Sequence, residues 1–105
     1  AENEVVNNYV LLFQNTQKET YTYNVEILGE YADKIKIKKF TKFKLSRGKM
    51  AKKVIQLSTK DMLSDDVTRD TPITLTLRAY AIENPKEIVV LRKAVFIFPR
   101  ADKLK

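Results

Sequence analysis

Cysteine and histidine are both missing from this sequence of 105 residues. Without cysteine there is no disulfide framework, no thiolate nucleophile and no thiolate ligand for an iron–sulfur cluster. Without histidine the usual general base, the pH switch near neutrality and the commonest transition-metal ligand are all absent. Glycine is nearly absent as well. Gly29 and Gly48 are the only two, nineteen residues apart, so no glycine-rich phosphate loop can form. No apolar run approaches the roughly 20 residues that a membrane-spanning helix needs. The opening Ala1-Glu2-Asn3-Glu4 is polar and carries no secretory signal pattern, so the chain is expected to be soluble, or a soluble piece of a larger protein. Between Lys34 and Lys53 there is no aspartate or glutamate.

What is present points to one globular domain. The apolar fraction is 44% and the charged fraction 31%, which separates the chain from disordered sequences. A chain of this length buries about 65% of its unfolded surface, enough for one core. Alternation with a period of two dominates. Tyr23, Val25 and Ile27 share one face against Thr22, Asn24 and Glu26, and Ile73, Leu75, Leu77 and Ala79 oppose Thr74, Thr76, Arg78 and Tyr80. Further strands are predicted over Val5–Phe13, with Tyr9, Leu11 and Phe13 on one face, over Lys34–Lys38 with Lys outward and Ile inward, and over Thr41–Leu45. Others follow at Ala51–Ser58 and Ile88–Phe98, the last broken by a bulge at Arg92-Lys93. Turns are expected at Asn15–Glu19, at Ser46–Lys49 with Gly48 at positive φ, and at Asn84-Pro85. The polar stretch Lys60–Asp70, with Met62, Leu63 and Val67 as its apolar anchors, has room for one helical turn. Ala101–Lys105 reads as a frayed tail. About seven strands at spacings of roughly 8–12 residues describe an all-β, antiparallel sandwich or barrel.

The strongest local feature is charge. Ten basic residues fall between Lys34 and Lys53: Lys34, Lys36, Lys38, Lys39, Lys42, Lys44, Arg47, Lys49, Lys52 and Lys53. The rest of the chain sets ten basic against thirteen acidic residues, a balance of −3 inside a total of +7. The basicity is therefore a patch on a slightly acidic body. As function, the patch would contact an acidic protein or an anionic membrane surface, whose headgroups attract each lysine by about 1 kcal/mol. As structure, it is a solvated strand edge whose lysines deter edge-to-edge pairing. A nucleic-acid-binding β-barrel is the competing class, with Phe40 and Phe43 interleaved among the lysines as stacking platforms. Arg47 is the only arginine in the patch, which counts against that class. Met50 and Met62 could offer soft thioethers to cuprous ion, but more often such residues fill cores. Asp65, Asp66 and Asp70 lack calcium-loop spacing. Glu83 and Glu87 flank a turn without marking a catalytic pair, and a Ser–Lys pair is open on composition alone. No catalytic, cofactor-binding or metal-binding residue is assigned.

Several landmarks fall in a recognisable order. They are Asn7-Asn8-Tyr9, then Asn15-Thr16, Tyr23, Gly29, Thr71-Pro72-Ile73 and Phe96-Ile97-Phe98-Pro99-Arg100. In order and spacing, over residues 6–100, the chain resembles the C-terminal immunoglobulin-like domain of the FixG family, also called CcoG. One departure is the middle turn, where Ser46-Arg47-Gly48-Lys49 replaces the family's usual Pro-Gly. The resemblance implies an immunoglobulin-like sandwich forming part of a larger membrane protein. Such a parent has several membrane helices and a ferredoxin-like run, C-x-x-C-x-x-C-x-x-x-C-P, and assists assembly of a high-affinity cytochrome c oxidase by supplying reduced copper. This domain would then lie on the periplasmic side of a bacterial inner membrane. It would contact the oxidase, another assembly factor or its own membrane part. Iron–sulfur clusters would belong to the parent and copper would be its substrate, with no cofactor in this chain.

Overall fold

The computed structural model describes residues 4–100; the predicted frayed tail lies outside them. Seven strands form: β1 (Val5–Gln14), β2 (Tyr21–Leu28), β3 (Lys36–Lys38), β4 (Phe43–Leu45), β5 (Met50–Thr59), β6 (Thr71–Ala81) and β7 (Val89–Phe98). They build two antiparallel sheets, one in the order β1-β5-β3 and the other β4-β2-β6-β7. Only the β6–β7 hairpin stays within a sheet; every other connection crosses between them. The molecule is elongated, 51 × 22 × 18 Å.

Alternation explains the layers. In β2, Tyr23, Val25 and Ile27 are buried, and in β6 Ile73, Leu75, Leu77 and Ala81 are buried. Ile55 and Leu57 of β5 face them from the opposite sheet, and Phe96 and Phe98 of β7 fill the core from the same sheet, each of the four at most 1% exposed. At one end the core turns aromatic. The Phe13 ring meets Phe43 edge-on at 5.0 Å and stacks on Phe40 at 6.1 Å, and Tyr23 closes the group at 6.1 Å from Phe13. Such pairs add about 0.5–1.5 kcal/mol each beyond their burial. Phe40 lies in residues 39–42, the segment that carries the chain from β3 in one sheet to β4 in the other. Lys39 makes that corner at φ 63°, and Phe40 pins it by stacking on Phe13.

Three sequence expectations are corrected. Residues 60–70 hold no helical turn, and of their apolar side chains only Leu63 packs against the core, while Met62 and Val67 are more than half exposed. Hydroxyls and carboxylates order this loop instead: Thr59 Oγ1 accepts from the Asp61 N–H, and Asp66 Oδ1 accepts from the Thr68 N–H and hydroxyl. The bulge at Arg92-Lys93 is absent, because β7 pairs with β6 in unbroken register through Leu77↔Arg92 and Thr76↔Lys93. Lys34 falls in a turn rather than in β3. There the N–H groups of Lys34 and Ile35 both donate to the Tyr31 carbonyl, which aims Ile35, 2% exposed, into the core.

Candidate interaction surfaces

Each sheet has two edges. The β1 and β7 edges share one long side of the sandwich, and β3 and β4 share the opposite side.

The β3/β4 side gathers much of the basic segment. Lys36 and Lys38 alternate on β3, Lys39 and Lys42 occupy the crossing, and Lys44 lies on β4. Lys34 stands just before β3, its carbonyl bonded by the Thr59 hydroxyl at 2.9 Å. The other four sit apart: Arg47 and Lys49 at the β4–β5 turn, Lys52 on the outer face of β5, and Lys53 with its Nζ 4.4 Å from the centre of the Phe43 ring. All ten are exposed except Lys53, which is half-buried. Among the described residues, only Lys38 of the ten forms an ion pair, with Glu4. Both strands have three residues, short edges of the kind that resist unwanted pairing.

The nucleic-acid alternative loses its platforms here. Phe40 and Phe43 are partly buried and committed to the cluster with Phe13 and Tyr23. The two sheets also remain separate and do not close into a barrel. Met50 and Met62 cannot share an ion. Met50 begins β5 and Met62 lies beyond its far end, a strand of ten residues spanning about 30 Å. Among the described residues no group of three or more Asp or Glu side chains could hold a metal.

The carboxylates that flank turns act as fasteners. Glu83 accepts from the Thr22 N–H at 2.8 Å and from its hydroxyl at 2.7 Å, fixing the β6–β7 hairpin to the start of β2. Glu87 accepts from Asn84 Nδ2 at 2.9 Å. Asp70 Oδ1 accepts from the Arg100 N–H at 3.0 Å. The bonds from Thr22 hold the Glu83 carboxyl below its usual value of 4.5. A lowered folded-state pKa stabilises the fold above that value, and the stabilisation is lost as pH falls through the folded pKa. Glu83→Gln should therefore be less stable than wild type at pH 7, and the difference should shrink as the pH falls to 3. Urea midpoints at both pH values measure this; a difference that stays constant would show that the charge on Glu83 is irrelevant.

The β1/β7 side is apolar and partly clasped. Asn7 Nδ2 donates to the Ile97 carbonyl at 3.2 Å, and Asn7 Oδ1 accepts from the Ile97 N–H at 3.0 Å. The Tyr9 hydroxyl donates to the Val95 carbonyl at 2.7 Å, and burial of the ring pushes its pKa up. Beyond the clasp, toward residues 87–92, the sheets part into a cleft of about 450 Å³. Sequence reasoning missed this cleft altogether. Leu11, Phe13, Val25, Leu77, Ala79 and Val90 line it, with Glu87 and Arg92 among its polar residues.

A protein-family model described as "IG-like fold at C-terminal of FixG, putative oxidoreductase" matches residues 1–99. No curated protein and no solved structure matches the chain significantly.

Proposed function

Because the chain belongs to the family of immunoglobulin-like domains found at the C-terminus of FixG, we propose that it is a non-catalytic contact module of a FixG-type membrane iron–sulfur protein. In this reading it lies on the periplasmic side of the inner membrane and helps its parent assist assembly of, and copper supply to, a high-affinity cytochrome c oxidase. The chain's own donor set does not fit the redox groups of such a parent. It contains neither cysteine nor histidine, so it can supply no thiolate or imidazole to a cluster or to copper. What it can supply is surface.

The observation that carries the proposal is the β3/β4 side. It sets Lys36, Lys38, Lys39, Lys42 and Lys44 along two free strand edges, all exposed, with one carboxylate partner among the described residues. Exposed cations along a strand edge steer an acidic partner and hold it in register. The test uses the full-length parent. Replacing Lys36, Lys39, Lys42 and Lys44 together by Glu should reduce assembled oxidase in the membrane about tenfold, with the parent present at its normal level. Unchanged oxidase content, read from haem spectra of the membranes, would refute a role for this side.

A further inference from the structure

Hydrogen bonds on the β1/β7 side reveal which main-chain groups are spoken for. The Asn7 amide meets both the N–H and the carbonyl of Ile97, the pair of bonds that a neighbouring strand would make. Tyr9 takes the Val95 carbonyl. The odd-numbered residues of β7 thus direct their main-chain groups away from β6. The Ala81 N–H bond to the Ile88 carbonyl puts the even-numbered residues on the β6 side, consistent with this alternation. Carried toward the cleft, the same alternation points the N–H and carbonyl groups of Val89, Leu91 and Lys93 outward. β6 is the only strand paired with β7 among the described residues, so this stretch of edge has no neighbouring strand. Among the described residues, the Leu91 carbonyl accepts from the side chain of Arg92, the next residue.

Side chains give the same picture. Val90 lies on the core-facing side of β7, in step with the buried Phe96 and Phe98, yet it is 45% exposed. It lines the cleft beside Leu77 and Ala79 of β6 and Leu11 of β1. A sandwich leaves such positions bare where a strand is lacking. Arg92 lines the cleft as well and Lys93 follows it on β7. Glu87, the carboxylate among the lining residues, is bonded by Asn84.

We propose that the cleft receives an extended segment of a partner protein as an added strand on β7 at residues 89–93. Alternate apolar side chains of that segment enter against Val90, Leu77 and Leu11, and a carboxylate faces Arg92. The main chain supplies affinity and the apolar pockets supply selectivity, as in other strand-addition complexes. The Asn7–Tyr9 clasp sets the limit of pairing, because β7 beyond Val95 is already occupied. The proposal rests on the reading of this domain as a contact module, but it concerns the side opposite the lysines.

The experiment places p-benzoylphenylalanine at position 90 of the full-length parent in its native membranes and sequences the photo-crosslinked peptide. Two variants accompany it. Leu91→Pro removes an outward N–H that β6 does not use, so an edge strand can accept it. Leu91→Ala keeps that N–H. The expected crosslink falls within one stretch of a second protein, alternating in apolar residues and carrying a carboxylate. Leu91→Pro should weaken it about tenfold and Leu91→Ala should not. No crosslink would overturn the proposal. So would a crosslink indifferent to Leu91→Pro, or one that maps to a second copy of this chain or to another segment of the parent. Oxidase content that responds to the lysine replacements while position 90 captures nothing would retain the contact module and discard the added strand.

Discussion

Asn15→Ala should lower the melting temperature of the domain by about 10–20 °C, an effect larger than any expected from a surface position. Asn15 belongs to a polar loop but is 0% exposed. Its Nδ2 donates at 2.8 Å to the Leu45 carbonyl of β4 and at 2.8 Å to the Glu19 carbonyl, and its Oδ1 accepts from the Gln17 N–H at 2.8 Å. Its main chain continues the pattern, donating to the Lys49 carbonyl and accepting from the Gly48 N–H. One side chain therefore ties the β1–β2 loop to β4, while its backbone ties the same loop to the turn before β5. Alanine keeps the backbone bonds but strands the Leu45 carbonyl, the Glu19 carbonyl and the Gln17 N–H. Each buried polar group left unpaired costs about 1–3 kcal/mol, so the total is about 2–4 kcal/mol. Asn15→Asp should not rescue the fold, because it loses both donors and buries a charge. Calorimetric scans of the three proteins measure the effect. A loss of only a degree or two in Asn15→Ala would mean that water replaces the amide and that the loop stands by itself.

Phe96→Ala should cost about 3–5 kcal/mol, a large share of the roughly 5–15 kcal/mol that holds a domain of this kind together. Phe96 is 0% exposed on β7, opposite Ile73 in the β6 register, and packs between the two sheets. Truncation removes its transfer energy and leaves a cavity that neighbouring strands, held in register by β6 and β2, cannot close. Its sequence neighbour Val95 is 49% exposed and points the other way. Val95→Ala should change stability by no more than about 0.5 kcal/mol. Urea titrations provide the comparison, with the slope unchanged and only the midpoint moving. Equal losses at 95 and 96 would mean that the faces of β7 are misassigned.

Much of this architecture was legible before any coordinates. A period of two assigns the faces of β1, β2 and β6 correctly, and Gly48 does take the positive φ expected in its turn, at 75°. Alternation, however, tells which way a side chain points and not which strand lies beside it. The short basic strands illustrate this. β3 and β4 look alike in sequence, yet one joins β5 and the other β2, a choice set at the corner made by Lys39 and Phe40. Burial of polar residues was equally hidden. Asn15 reads as a turn residue because its reward, the Leu45 carbonyl, lies thirty residues away along the chain. The landmarks Asn7, Tyr9 and Asn15 were visible as a pattern, but their work as fasteners emerges only once β7 and β4 are in place. Likewise, nothing local distinguishes Val90 from the buried residues of its strand. It is bare because no strand covers it, and a missing neighbour leaves no trace in sequence.

The lysine segment kept its prominence but changed its shape. Its ten basic residues do not form one face. Lys34 and five others lie along the β3/β4 side, while the turn before β5 and the first half of β5 carry the remaining four. That division makes the contact reading sharper, because Lys36, Lys39, Lys42 and Lys44 can be reversed without touching the Lys53–Phe43 contact or the Lys38–Glu4 pair.

The central claim is that this domain contributes contacts and not chemistry to a FixG-type parent. The most direct measurement deletes the stretch corresponding to this chain from the full-length parent and follows two signals in the same membranes, the parent's iron–sulfur spectrum and the content of assembled oxidase. The account predicts an intact iron–sulfur signal with oxidase reduced about tenfold, and oxidase restored by the wild-type domain. Normal oxidase content without the domain, or loss of the iron–sulfur signal along with it, would contradict the claim.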